Sequence, residues 1–150
     1  MSIEIVRASE ADLDHLAPLF GGYRVFYEQQ SDPETESAYL AKRMRRGDCT
    51  IFLARDNNEP AGFVLLYPTF DSVDMARVWV LHDLFVAPLH RKQGIGRQLM
   101  ETAHVFCRDS GASRVDLSTA VSNTVAQPLY ESMGYQRDSE FFSYSYTLED

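Results

Sequence analysis

The segment Leu84-Phe85-Val86-Ala87-Pro88-Leu89-His90-Arg91-Lys92-Gln93-Gly94-Ile95-Gly96-Arg97-Gln98-Leu99 decides how the chain is read. A β-rich run ends at Val86. Pro88 then stops the ladder, since it has no N–H to contribute, and two glycines open a helix. Glycine lets the backbone turn tightly and approach a ligand without a Cβ clash. The first N–H groups of the helix have no partner within it and carry the positive end of its dipole. That combination is an anion site of the phosphate-binding type. Arg91, Lys92 and Arg97, with His90 nearby, concentrate positive charge there, in a chain of formal net charge −8.

Two common phosphate loops fail on residue identity. A Walker A loop needs GxxxxGK[ST], which is absent from the sequence. The dinucleotide fingerprint GxGxxG needs Gly or Ala where this chain has Leu99. What remains is [R/Q]xxGx[G/A] after a strand, here Arg91 to Gly96.

Outward from that segment, alternation predicts strands over 3–7, 50–54, 61–67, 78–86 and 115–117 and at Phe142, Tyr144, Tyr146 and Leu148. Leu13, Leu16, Ala17 and Phe20 share a helical face, with Ser9 and Asp12 as a capping arrangement. Pro18 and Gly21-Gly22 are expected to break or bend that helix, leaving a short second piece with Tyr23, Phe26 and Tyr27. Ser31-Asp32-Pro33-Glu34 starts a helix that Gly47 stops. Residues 56–59 read as a hairpin turn, and 68–76 as a loop. A helix runs from the glycine segment to about Gly111, and another from Asn123 to Met133. This order implies an α/β fold, a mixed sheet with helices on both faces, in one domain over residues 1–150.

A second segment, Asn123-Thr124-Val125-Ala126-Gln127-Pro128-Leu129-Tyr130-Glu131-Ser132-Met133-Gly134-Tyr135, follows in the right order. With Arg91–Gly96 it resembles the GNAT superfamily of N-acetyltransferases, whose second motif is N-x-x-A-x-x-L-Y-x-x-x-G-[FY]. The resemblance implies a central, mostly antiparallel twisted sheet of six to seven strands with about four helices. It implies acetyl-CoA as cosubstrate, with the pyrophosphate held by the main chain around Arg91, Lys92, Gln93, Gly94, Ile95, Gly96 and Arg97. Leu84, Phe85 and Val86 would pair with the pantetheine amides as a strand would. Asn123 would bond the pantetheine arm, Ala126 and Gln127 would flank it, and Tyr130 would protonate the departing thiolate. A homodimer is also typical of the family.

The reaction requires a neutral amine, and alkyl amines are mostly protonated near neutral pH, so a base or water chain must take a proton. Side chains alternate along a strand, so one of His82 and Asp83 is expected to face the cleft. Asp83 is the candidate base or water anchor; the alternative is a bond to a nearby loop. Arg24, Tyr27, Glu28 and His82 are candidate acceptor-binding residues: Arg24 for a carboxylate, Glu28 for an ammonium, Tyr27 for packing. The opposing reading makes Phe26 and Tyr27 core and Arg24 surface. With Leu66-Tyr67-Pro68 and 81–86, these residues are similar to a GNAT subgroup of yeast histone, polyamine and D-amino-acid acetyltransferases. Asn stands in that subgroup where this chain has His82. The acceptor expected is a small-molecule amine; a CoA-binding sensor module, a protein or peptide acetyltransferase and a longer-acyl enzyme are the competing readings.

Composition bounds the rest. Apolar residues make up 45% and charged residues 24% of the 150, ordinary for a globular protein. The acidic balance argues against nucleic-acid binding. The start lacks a signal-peptide pattern, and apolar runs such as Phe63–Leu66 are too short to span a bilayer, so a cytoplasmic location with no membrane association is expected. Cys49 and Cys107 read as small hydrophobes, and the histidines form no metal motif, so no metal is expected. Replacing Tyr130 with Phe is expected to lower turnover in a thiol-release assay while leaving acetyl-CoA affinity by calorimetry nearly intact.

Overall fold

Asn57 and Asn58 both have positive φ, 51° and 70°. A two-residue hairpin loop needs that twist, and Asn tolerates it. The loop joins β2 (Thr50–Asp56) to β3 (Glu59–Asp71). A computed structural model describes residues 2–149, and the chain divides into two compact units, Met1–Ser118 and Thr119–Asp150.

The first unit holds a five-stranded mixed sheet in the order β1-β2-β3-β4-β5, with β1 Ile3–Arg7, β4 Ala76–Val86 and β5 Arg114–Asp116. All pairs are antiparallel except β4 with β5. Both faces are covered. On one, Leu16, Leu19 and Phe20 of α1 (Leu13–Phe26) and Leu40 of α2 (Pro33–Arg46) pack on Ile51, Leu53, Phe63, Leu65 and Phe85. On the other lies α3 (Ile95–Asp109), whose Phe106 ring packs against Phe52 and Trp79, 5.6 and 5.2 Å between centroids. Leu99 on α3 is fully buried, a burial worth about 1.5–3 kcal/mol. Helix α2 carries the signals read from its sequence: Asp32 caps Thr35 N–H at 3.3 Å, Pro33 sits in the first turn, and Gly47 follows in the left-handed conformation at φ 66°.

Three expectations need correction. Helix α1 runs unbroken through Pro18 and Gly21-Gly22. The glycines are there for closeness: a Cβ at Gly21 would lie 3.0 Å from Glu36 Oε1, and one at Gly22 3.0 Å from the Phe85 ring. Burial of Leu16, Leu19 and Phe20 outweighs a propensity cost of about 1 kcal/mol per glycine. Second, the expected loop at 68–76 is mostly strand, because β3 continues to Asp71 opposite Ala76. Arg77 over the Phe70 ring at 4.4 Å and Arg114 bonded to Asp71 at 2.7 Å hold that extension.

The third concerns the Thr119–Asp150 unit. Its described residues carry one helix, α4 (Ala126–Ser132), which starts later than the expected Asn123. The N–H of Asn123 instead closes a turn to Ala120 C=O at 2.9 Å. No strand occurs at 142–148, so the described sheet has five strands rather than six to seven. Phe142, Tyr144 and Tyr146 are about nine-tenths exposed. Alternation marks a chain that suits a ladder, but a strand exists only where a partner takes its N–H and C=O groups.

Among the described residues, no helix is long and apolar enough to cross a membrane, and no cluster of three His, Cys, Asp or Glu residues is placed to hold a metal ion. Cys49 and Cys107 are free, and burial pushes both thiols up to about 11. A Cβ at Gly62 would stand 2.7 Å from the Phe85 carbonyl oxygen. Gly62→Ala is therefore expected to force β3 from β4 and to cost about 1–3 kcal/mol, read as a lower denaturant midpoint with unchanged slope.

Candidate functional site

Strand β4 is paired with β3 along its whole length, but with β5 only over Val78–Val80. Among the described residues its second edge therefore has no ladder partner from Leu81 to Val86. Two carbonyls on this stretch are taken by side chains: the Tyr23 hydroxyl donates to His82 C=O at 3.3 Å, and Arg91 Nε donates to Val86 C=O at 2.8 Å. The Phe85 side chain is buried in the core facing α1 and α2, so this residue offers a ligand its backbone rather than its side chain.

The strand leads through a 3-10 turn at Pro88–His90 into the loop that opens α3. Lys92 and Gly94 lie at positive φ, 64° and 80°, which curls the loop back over the helix start. Buried Ile95 anchors the first turn, and the Gln98 N–H reaches Gly94 C=O at 3.1 Å. The basic cluster is less uniform than its sequence suggests. His90 pairs with Asp56 at 3.4 Å, and the Arg91 guanidinium lies 5.5 Å from the Phe85 ring centre.

The register of β3 on β4 explains the polar end of the site. Leu65 stands opposite Asp83, and Leu66 opposite Leu81, so His82 is an extra residue, a β-bulge. Leu65 and Asp83 face α1 and α2, whereas Leu81 has crossed to the α3 face. The bulge thereby brings His82 and Asp83 onto the same side. Both line one cleft, contrary to the expectation that only one would. Its volume is about 360 Å³, and Phe20, Tyr23, Arg24, Thr35, Glu36, Tyr39 and Tyr67 complete its walls. Asp83 is 3% exposed and accepts from His82 Nδ1 at 2.7 Å. That bond holds the imidazole pKa above its ordinary value, while partial burial pulls the other way. The His82 ring meets Tyr67 edge-on at 5.4 Å, and the Tyr67 and Tyr39 hydroxyls are 2.6 Å apart. Burial, then the Tyr39 contact, push the Tyr67 phenol upward, so it stays protonated.

Of the candidates named from sequence, Arg24, His82 and Asp83 meet in this cleft. Arg24 is already bound: Nη1 donates to Glu36 Oε2 at 2.9 Å and to Gln30 C=O at 3.2 Å. Tyr27 is at the end of α1, its ring tilted against Tyr23 at 5.0 Å, and Glu28 follows at φ 63°, exposed; neither lines the cleft. Glu36, Tyr39 and Tyr67 escaped the sequence reading. Glu36, Tyr39 and Leu40 share a face of α2 by spacing, and Glu36 is buried there, 2% exposed. Asn123, Ala126, Gln127 and Tyr130 belong to the Thr119–Asp150 unit. There the Asn123 amide donates to Thr119 Oγ1 at 3.3 Å, the Gln127 amide donates to Val121 C=O at 3.0 Å, and Tyr130 packs near Tyr135 at 6.2 Å. A larger cavity of about 560 Å³, near Arg7, Arg77, Trp79 and Phe106, shares no residue with the cleft or the loop.

The comparisons agree with this architecture. The family model described as "Acetyltransferase (GNAT) family" matches residues 15–135. The uncharacterized N-acetyltransferase YhfO of Bacillus subtilis is 40% identical over 95% of each chain. A crystal structure of a probable acetyltransferase superposes with a TM-score of 0.92 at 42% identity, covering 98% of this chain and 99% of that one. An aminoglycoside N-acetyltransferase in complex with CoA has the same fold at 19% identity, with a TM-score of 0.84 over 98% of this chain and 96% of its own. The family match over residues 15–135 and the relative 40% identical over 95% of each chain lead to one conclusion: the chain belongs to the acetyltransferase (GNAT) family and is an acyltransferase.

Proposed function

We propose that this enzyme moves the acetyl group of acetyl-CoA onto the primary amine of a small molecule, by direct attack in a ternary complex. One observation carries the reading. Among the described residues β4 has an unpaired edge at 81–86 that runs into the positive-φ loop before α3, and the same stretch bears the aromatic, acidic cleft at His82 and Asp83. One strand would then serve both reactants. Acetyl-CoA supplies the activated acetyl group. The backbone of Leu84, Phe85 and Val86 would hold its pantetheine amides, and main-chain N–H groups from Lys92 to Arg97 its pyrophosphate. An N–H at or beside Val86 would steady the oxyanion. Asn123, Ala126, Gln127 and Tyr130 take their roles from the Asn123–Tyr135 motif, with Tyr130 as the acid for the thiolate.

The cleft favours an amine that needs no carboxylate grip, because Glu36 already engages Arg24. Aromatic walls attract a cation. Polyamines and simple amines therefore rank ahead of amino acids. The same reading takes residues 1–150 as one domain, acting as a homodimer in the cytoplasm without nucleic-acid or membrane partners.

The test is a thiol-release screen of polyamines, monoamines, amino acids of both hands and peptides against acetyl-, propionyl- and succinyl-CoA. Turnover is expected with acetyl-CoA and a small amine. Thermal stabilisation by acetyl-CoA with no thiol release from any acceptor would replace the enzyme by a binding module. Gly94→Ala meets open space but a strained φ of 80°; it is expected to cost about 1–2 kcal/mol in loop conformation and to weaken CoA binding in calorimetry.

A further inference from the structure

We infer that His82 is the base that deprotonates the acceptor amine, and that Asp83, the base expected from sequence, is a positioning residue behind it. The inference rests on the acceptor-cleft reading above. Its physical origin is the bulge. In a regular strand, adjacent side chains point to opposite faces, so an imidazole at 82 and a carboxylate at 83 would never meet. The extra residue in β4 puts His82 Nδ1 2.7 Å from Asp83 Oδ1.

Burial separates the two roles. Asp83 is 3% exposed and spends an oxygen on the imidazole, whereas the His82 side chain is 59% exposed at the cleft. With Nδ1–H donated to the carboxylate, Nε2 carries the lone pair and is the nitrogen available to an amine. The imidazole is braced on several sides. The Tyr23 hydroxyl holds its backbone carbonyl at 3.3 Å, and the Tyr67 ring, itself tied to Tyr39, stands edge-on to it.

The charges that face it can be accounted for from each packed element. Asp83 comes from its own strand. Tyr67 from β3, Tyr39 from α2 and Tyr23 from α1 are phenols. Arg24 from α1 and Glu36 from α2 neutralise one another at 2.9 Å. Asp83 is thus the one unbalanced charge among the residues lining the cleft, and it favours the imidazolium that proton transfer creates. The steps balance. One ammonium proton passes to Nε2, and the freed nitrogen pair forms the N–C bond at the thioester carbonyl. The C–S bond breaks with its electrons on sulfur. The second nitrogen proton ends on the thiolate, and His82 returns its own to solvent.

The experiment is the pH profile of kcat/KM, with the best amine from the screen, for wild type, His82→Gln and Asp83→Asn, together with an NMR titration of the His82 imidazole. Wild type should show an acid limb above the ordinary imidazole pKa, since the base must be unprotonated. Asp83→Asn should move that limb, and the NMR midpoint, to lower pH. His82→Gln should abolish the limb and lower kcat about 10²-fold or more near neutrality, with acetyl-CoA affinity unchanged. A wild-type profile in His82→Gln overturns the proposal, as does loss of the limb in Asp83→Asn alone. If Asp83→Asn does not fold, the His82→Gln profile and the wild-type titration decide. If wild type acetylates no amine, the acceptor reading fails, and the dyad stands or falls on whether His82 titrates above its ordinary value.

Discussion

A strand whose two edges have different fates governs this molecule. β4 is bonded to β3 throughout but keeps β5 for only three residues, Val78–Val80. Every backbone N–H and C=O must find a partner or water, and an open strand edge is a hazard that proteins usually cover. Here it is retained beside the residues with the most distinctive chemistry. Tyr23 and Arg91 satisfy two carbonyls of this stretch, those of His82 and Val86. The loop that follows turns into α3 through positive φ at Lys92 and Gly94.

The bulge at His82 is the second consequence of β4 serving two cores. On either side of it, the strand packs apolar side chains under both α1–α2 and α3, with Phe85 on one face and Trp79 on the other. One added residue changes the phase between these halves. It turns an alternating strand into a local pair of polar side chains, with the carboxylate sealed beneath and the ring at the surface. The aromatic residues around it come from elements far apart in the chain, which is why the cleft has the character of a built wall rather than a loop.

Much of this was legible beforehand. Arg91–Gly96 announced its loop because glycine and proline act locally, and Asp32, Pro33 and Gly47 announced α2 for the same reason. The continuity of α1 was not, since Gly21 and Gly22 read as breakers until Glu36 and Phe85 were seen to need the space. Nor was the fate of Phe142–Leu148, whose alternation says nothing about a partner. Glu36, which no local signal singled out, is the buried anchor of Arg24.

The sequence by itself determined the class of fold, the glycine loop that opens α3 and, through the resemblance of Arg91–Gly96 and Asn123–Tyr135, the family, because caps, periodicity, glycine positions and short motifs act over a few residues. Only the tertiary structure decided that His82 and Asp83 share a face, that Arg24 is engaged by Glu36, and that the pairing of β4 with β5 ends at Val80. Those facts depend on register and on side chains brought together across the fold, and neither is encoded in any short stretch of chain.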